Sequence, residues 1–191
     1  SHISDQAFYD VIAESKAPVI ASHSCARAIC DSPRNLSDNM LQQLKENGGV
    51  IQICFLTDYV KDIPQNPKRD SAIAALSKKY NGFNDLTDEE MAKARKEWHA
   101  IIQKYPKNLA TVSDMVDHID YVVKTIGIDH VGIGTDFDGG ARLENCMDAS
   151  EMPNITKELL ERGYTEQEIR KIWGGNFLRV FKEAEQISKQ I

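Results

Sequence analysis

Three short apolar runs, "APVIASHS", "GGVIQICF" and "HVGIGTDFDGG", alternate with segments of helical periodicity, and that order constrains the fold more than any other feature of the chain. Ser4 to Ser15 predicts a helix with Ser4 as N-cap and Phe8, Val11 and Ile12 on one side. A strand opened by Pro18 and ending at His23 follows. Ser37 then starts a helix with Met40, Leu41 and Leu44 on one face and Gly48 at its stop. After the second run, Ser113 is read as the cap of a helix carrying Val116, Ile119, Val122, Val123 and Ile126, ended by Gly127. The tail predicts helices near Asn154 to Arg162 and from Thr165 to Trp173, the latter with a Thr165/Glu168 capping box, before "GGNFLRVFKEAEQI". Such an order belongs to an α/β protein with a parallel sheet, whose ligands sit at the C-terminal strand ends.

Residues 56–111 break the pattern with a loop, "DIPQNPKRD", and two polar helices. The second starts at Thr87, with Glu90 completing a capping box and Met91, Ala94, Trp98, Ile101 and Ile102 on one face. The stretch reads as an insertion or lid inside a single domain, 1–191. With 191 residues, 41% of them hydrophobic, the chain can bury one sizeable core. A formal charge of −6 without a basic stripe argues against nucleic-acid partners. Neither a membrane-length apolar run nor a signal peptide is visible, so a soluble protein is expected. Cys25, Cys30, Cys54 and Cys146 show no metal-knuckle or disulfide-framework spacing and read as reduced thiols.

Strand alternation predicts Val131, Ile133 and Thr135 on one face of the third run and Gly132, Gly134 and Asp136 on the other. A carboxylate then stands at the strand end beside bare backbone. Alternation alone does not choose between Asp136 and Asp138, and either could cap a turn. By the same rule His23 shares a face with Val19 and Ala21, while His2 stands just before the first helix. A lone histidine is more often structural, but two imidazoles and a carboxylate at strand ends make a donor set suited to hydrolytic zinc. Arg34, on the loop after the His23 strand, is placed either to clamp a carboxylate or to make a loop salt bridge. His99, His118 and His130 read as surface or packing residues. There is no H-E-x-x-H, Walker sequence or G-x-S-x-G, and "GIGTDF" fails the dinucleotide fingerprint at Phe137.

The blocks "SHIS", "PVIASHSCARAICDSPRNLSD", "GGVIQICF", "DHVGIGTDFDGG" and "YTEQEIRKIWGGNFLRVF", in that order, resemble the renal (membrane) dipeptidase family, peptidase family M19. The resemblance covers the second half of the family's usual sequence. It implies the C-terminal half of a (β/α)8 TIM barrel of the metal-dependent hydrolase type, with two Zn2+ at the C-terminal strand ends. It also implies hydrolysis of dipeptides, with tolerance of a C-terminal D-residue. His2 and His23 match the histidines of one zinc, and Asp136 matches the aspartate that binds the other and exchanges protons. Arg34 matches the arginine that holds the substrate's terminal carboxylate, and Tyr59 a tyrosine lining the substrate pocket. The family's His-x-Asp motif and bridging glutamate have no counterpart here. They are expected from an N-terminal half of the barrel, without which this segment is expected to be inactive and to expose sheet edges. Asp62 stands where the mammalian enzymes pair a cysteine with the equivalent of Cys30, which fits a bacterial-type member of cytoplasm or periplasm. A homodimer is implied as well. A barrel that binds without hydrolysing, and an amidohydrolase acting on another amide, are the alternatives.

Overall fold

The computed structural model describes residues 1–64, 66–106 and 108–190. It divides into two compact units, Ser1–Asp62 with Leu109–Ile191, and Ile63–Asn108.

The first unit is built on three parallel strands, β1 (Ile20–Ser24), β2 (Val50–Cys54) and β3 (Val131–Thr135), in that spatial order. Helix α1 (Asp5–Glu14) precedes β1, and α2 (Asp38–Glu46) crosses from β1 to β2. The short α3 (Thr57–Val60) follows β2, and α6 (Val112–Ile126) leads into β3. Helices α7 (Pro153–Glu161), α8 (Glu166–Arg170) and α9 (Asn176–Ser188) complete it. Leu41 and Leu44 of α2, Ile51 and Ile53 of β2, Met115, Ile119 and Ile126 of α6 and Leu159 of α7 are fully buried in one cluster. At about 1.5–3 kcal/mol for each large aliphatic side chain taken from water, this cluster is the main stabiliser of the sheet. Asn176 Nδ2 donates to the carbonyls of Ile128 and Val131, at 2.7 and 2.8 Å, fixing α9 at the N-terminal end of β3 and leaving the other strand ends for chemistry.

The caps explain most of the helix boundaries. Ser4 Oγ accepts from Ala7 N and Ser37 Oγ from Met40 N. The start of α6 differs from the sequence expectation: Thr111, not Ser113, is its cap. Thr111 Oγ1 accepts from Asp114 N at 3.0 Å while Asp114 Oδ2 accepts from Thr111 N at 2.9 Å, a closed box that Ser113 has no partner to form. The helix predicted from Thr165 to Trp173 ends at Arg170, because Lys171–Gly175 forms a π-helical turn with Gly174 out of helical geometry.

The strands depart from simple alternation. Between the pairs Ala21 with Ile51 and Ser24 with Ile53, β1 advances one residue more than β2. Between Ile53 with Ile133 and Cys54 with Thr135, β3 does the same. Each extra residue is a bulge, which resets the face of everything beyond it. Ala21 and Ser24 are therefore the buried residues of β1, Ser22 and His23 are not, and His23 does not share a face with Ala21.

The second unit pairs α4 (Pro67–Lys79) with α5 (Asp88–Lys104). Asn66 caps α4 ahead of Pro67, and the Thr87/Glu90 box caps α5. Only Leu76 and Ala94 are buried among its described residues, and Trp98, stacked edge-on against Phe83, stays 37% exposed. No described helix is long and apolar enough to cross a membrane.

Candidate metal and substrate site

The end of β1 carries His23, held by its surroundings on three sides. Its backbone N–H donates to Ser1 Oγ at 3.0 Å, its Nδ1 lies 2.9 Å from Ser22 Oγ, and its Nε2 lies 2.8 Å from Nε2 of His2. The two imidazoles meet with ring centroids 4.8 Å apart and planes 56° to each other. Burial lowers the His23 pKa, the charge of Asp136 opposes this, and His2 and Arg34 reinforce it. A depressed pKa keeps the ring neutral, which is the form that ligates metal. Two histidine nitrogens on one tetrahedral zinc stand about 3.3 Å apart, so the observed pair needs only a small opening to accept the ion. The donors fit.

Asp136 follows β3 directly, with its backbone at φ +74 next to Thr135 at φ +29. His2, at φ +60, shares this left-handed region. For non-glycine residues that conformation costs about 1–3 kcal/mol each, and strain of this kind gathers at functional positions. The turn is tied by Ala141 N to Asp136 O at 3.0 Å and Gly140 N to Phe137 O at 3.1 Å. Asp136 is half-buried, whereas Asp138 is exposed on the same turn. From β2, the Cys54 thiol comes within 4.0 Å of Asp136 Oδ2, and burial, with the Asp136 charge adding to it, pushes that thiol up to about 11. Cys54 stays a protonated neighbour. Gly132 gives its side-chain space to Gln52 of β2, so the bare backbone noted in the sequence is partly covered by a neighbour.

His2 and His23 are thus brought together, and Asp136 lies within electrostatic reach of His23. Among the described residues, no group of three or more His, Cys, Asp or Glu is placed to hold a metal on its own.

Arg34 and Tyr59 form the second half of the site. The guanidinium of Arg34 lies over the Tyr59 ring, 5.2 Å from its centroid, and its Nε and Nη2 are buried without a hydrogen-bond partner. Unsatisfied buried donors on a charged group are expensive, about 1–3 kcal/mol or more, and rare enough to require a reason. Arg34 lines a cleft with His2, Ser24 and the apolar Phe8 and Met40. Sequence reasoning missed the residue that joins the two halves. Asn35, fully buried, accepts from Cys25 N at 3.0 Å and donates to the carbonyls of Cys30 and Tyr59 at 2.9 and 2.8 Å. A polar amide beside Arg34 in a loop is an ordinary sight in a sequence; only the fold reveals that all three bonds are made in the interior.

Of the other histidines, His118 and His130 bond to backbone. His118 is buried, its Nδ1 accepting from Ala26 N at 3.1 Å and its Nε2 donating to Val60 O at 2.8 Å. His130 Nδ1 contacts the Gly49 carbonyl at 2.8 Å, and His99 is exposed. The four cysteines are free and buried, and Cys30 Sγ sits 3.8 Å from Asp62 Oδ1.

A family model described as membrane dipeptidase (peptidase family M19) matches residues 1–191. The chain is 39% identical over 191 residues to dipeptidase ataJ of Aspergillus terreus, covering 98% of this chain and 36% of that protein. It is 31% identical over 191 residues to dipeptidase 3 of Rattus norvegicus, covering 100% of this chain and 30% of that one. Among solved structures, the probable dipeptidase PvdM of Pseudomonas aeruginosa matches with a TM-score of 0.75 at 35% identity, over 96% of this chain and 49% of that one. The chain spans about a third of the length of these curated relatives and about half of the solved one.

Proposed function

We propose that this chain, which belongs to the membrane dipeptidase family, peptidase family M19, supplies the C-terminal half of a (β/α)8 barrel that hydrolyses dipeptides with two zinc ions. The observation that carries this reading is the Arg34 guanidinium, buried with two unpartnered nitrogens in the same cleft as His2. His2 and His23 would hold one zinc and Asp136 the other, with the remaining ligands coming from the N-terminal half of the barrel. When bound, the ions supply an acidified water and a polarised carbonyl.

The residues of this chain divide the remaining work. Arg34 pairs its free Nε and Nη2 with the substrate's terminal carboxylate, which is planar and accepts two parallel bonds. Tyr59 backs the guanidinium and keeps it in plane. A third residue on the substrate would replace that carboxylate by an amide and lose the pairing, so free dipeptides are selected over longer peptides. Asp136 takes a proton on its carboxylate from the attacking water and passes it to the leaving amine. Asp138, exposed on the turn, has no part in this step. Tolerance of a C-terminal D-residue and the homodimer rest on the family resemblance alone.

The test is amino-acid release from L,L and L,D dipeptides by the complete, zinc-loaded protein, alongside its Asp136→Asn and Asp138→Asn variants. Release abolished by the first substitution and spared by the second is expected. No release from any dipeptide would turn the reading toward a non-catalytic barrel, and release from cyclic amides only, toward another amidohydrolase. Equal losses in both variants would undo the choice of Asp136.

A further inference from the structure

Asp136 and Gly139 meet across the turn that follows β3. A Cβ placed on Gly139 would lie 2.7 Å from Asp136 Cγ and 2.8 Å from Oδ2, with Oδ1 nearer still. Nothing else approaches as closely, and no side chain at position 139 fits while the carboxylate stays where it is. The neighbouring glycine is different. Gly140 has its backbone at φ +90, where alanine is strained, yet opens on empty space with no atom within 4 Å. Gly139 has no such backbone requirement: its φ lies outside the left-handed region, and the residue is exposed. An exposed turn residue with ordinary backbone angles normally tolerates alanine.

We propose that Gly139 is a positioning residue for Asp136, its missing Cβ being the niche that holds the carboxylate in its pose beside Cys54. This inference rests on the role given to Asp136 above. The two glycines of "DFDGG" then do separate jobs, Gly140 shaping the backbone and Gly139 seating a side chain. What a Cβ at 139 strikes is the far end of a short side chain that can swing about χ1, so the fold yields little and the carboxylate moves.

The experiment compares Gly139→Ala, Gly140→Ala and Asp136→Asn in the complete, zinc-loaded enzyme, reading melting temperature, zinc retained against a chelator, kcat and KM. For Gly139→Ala, a melting temperature within about 2 °C of wild type is expected, because a surface change away from strained backbone perturbs stability little. Its kcat should fall by roughly 10- to 100-fold with KM little changed, as a reacting group displaced by about an ångström costs that order, and zinc should be lost more readily. Gly140→Ala should show the reverse, a lowered melting temperature with kcat and zinc retention kept. Wild-type kcat and zinc retention in Gly139→Ala overturn the proposal. So does an unfolded or strongly destabilised Gly139→Ala protein, since the carboxylate and not the fold is meant to give way. If Asp136→Asn keeps full activity, the role of Asp136 itself fails; if it is inactive while Gly139→Ala is unaffected, only the positioning role fails.

Discussion

Two arginines in the first unit, Arg34 and Arg162, present the same side chain in opposite states. Arg162, at the C-terminal end of α7, is saturated. Its Nη1 donates to Asp117 and Asp120 at 2.6 and 2.7 Å, its Nη2 to the carbonyl and hydroxyl of Ser113 at 2.8 and 2.7 Å, and its Nε to Glu158 at 2.9 Å. It joins α7 to the start of α6 and has nothing left to offer a ligand. Arg34 is stacked on Tyr59 with two donors buried and waiting. The first spends its hydrogen bonds on the fold; the second withholds them from it. Saturation, rather than residue type or position on a loop, separates the arginine that serves the fold from the one proposed to hold a substrate.

The largest expected effect tests the open arginine. Arg34→Ala in the complete enzyme should lower kcat/KM for free dipeptides by about 100- to 1000-fold, the loss typical of a buried charge pair, while the melting temperature holds or rises. A fall in melting temperature with kinetics intact would break the comparison, since Arg34 would then be serving the fold. Next in size is Arg162→Met, which should destabilise by about 2 kcal/mol, roughly a 5 °C fall in melting temperature, with kcat and KM unchanged. Altered KM in that variant would show that the α6–α7 seam reaches the site.

His118 extends the comparison to a titratable group whose two nitrogens are both satisfied. Burial holds its pKa below the usual value of 6.5 in the folded chain. The unfolded ring therefore takes up a proton first as pH falls, and stability is fully present above about pH 6.5 and declines below it. His118→Gln should be less stable at pH 7.5 by about 1–2 kcal/mol, through a disturbed pair of buried hydrogen bonds. That deficit should shrink at pH 5.5. Urea midpoints at the two pH values measure it, and a deficit that grows on acidification would mean the folded ring is charged. The smallest effect belongs to Asp138→Asn, less than about threefold in kcat, as expected for a side chain exposed on the surface of its turn.

Much of the fold was legible because it is written locally. Serine and threonine caps, the Thr87/Glu90 and Thr165/Glu168 boxes and the apolar stripes of α2 and α6 each lie within a few residues of what they control. The Thr111/Asp114 box is equally local, and the spacing of threonine and aspartate three residues apart is enough to place the cap at Thr111 rather than Ser113. The bulges in β1 and β3 were not legible, since they are defined by the partner strand and leave no mark in the strand that contains them. For the same reason alternation misjudged the face of His23. At the site, pattern could raise His2, His23, Asp136 and Arg34 as candidates, but the choice of Asp136 over Asp138 came from the family resemblance. Asn35 leaves no signal there, as it acts through three bonds to distant backbone, and the sequence offers the two glycines only as room beside the aspartates, without separating Gly139 from Gly140.

The chain leaves the first unit after Asp62 and returns at Leu109, yet both ends of that excursion are already fastened inside the first unit. Ala110 N donates to Thr57 Oγ1 at 3.1 Å, and Lys61 pairs with Asp114 at 2.6 Å. The entropy of closing the loop is thereby met by residues that do not belong to it. Ile63–Asn108 is therefore spliced in as a cassette whose two ends are anchored without it, and Tyr59, a few residues upstream, is held beneath Arg34 by the first unit alone.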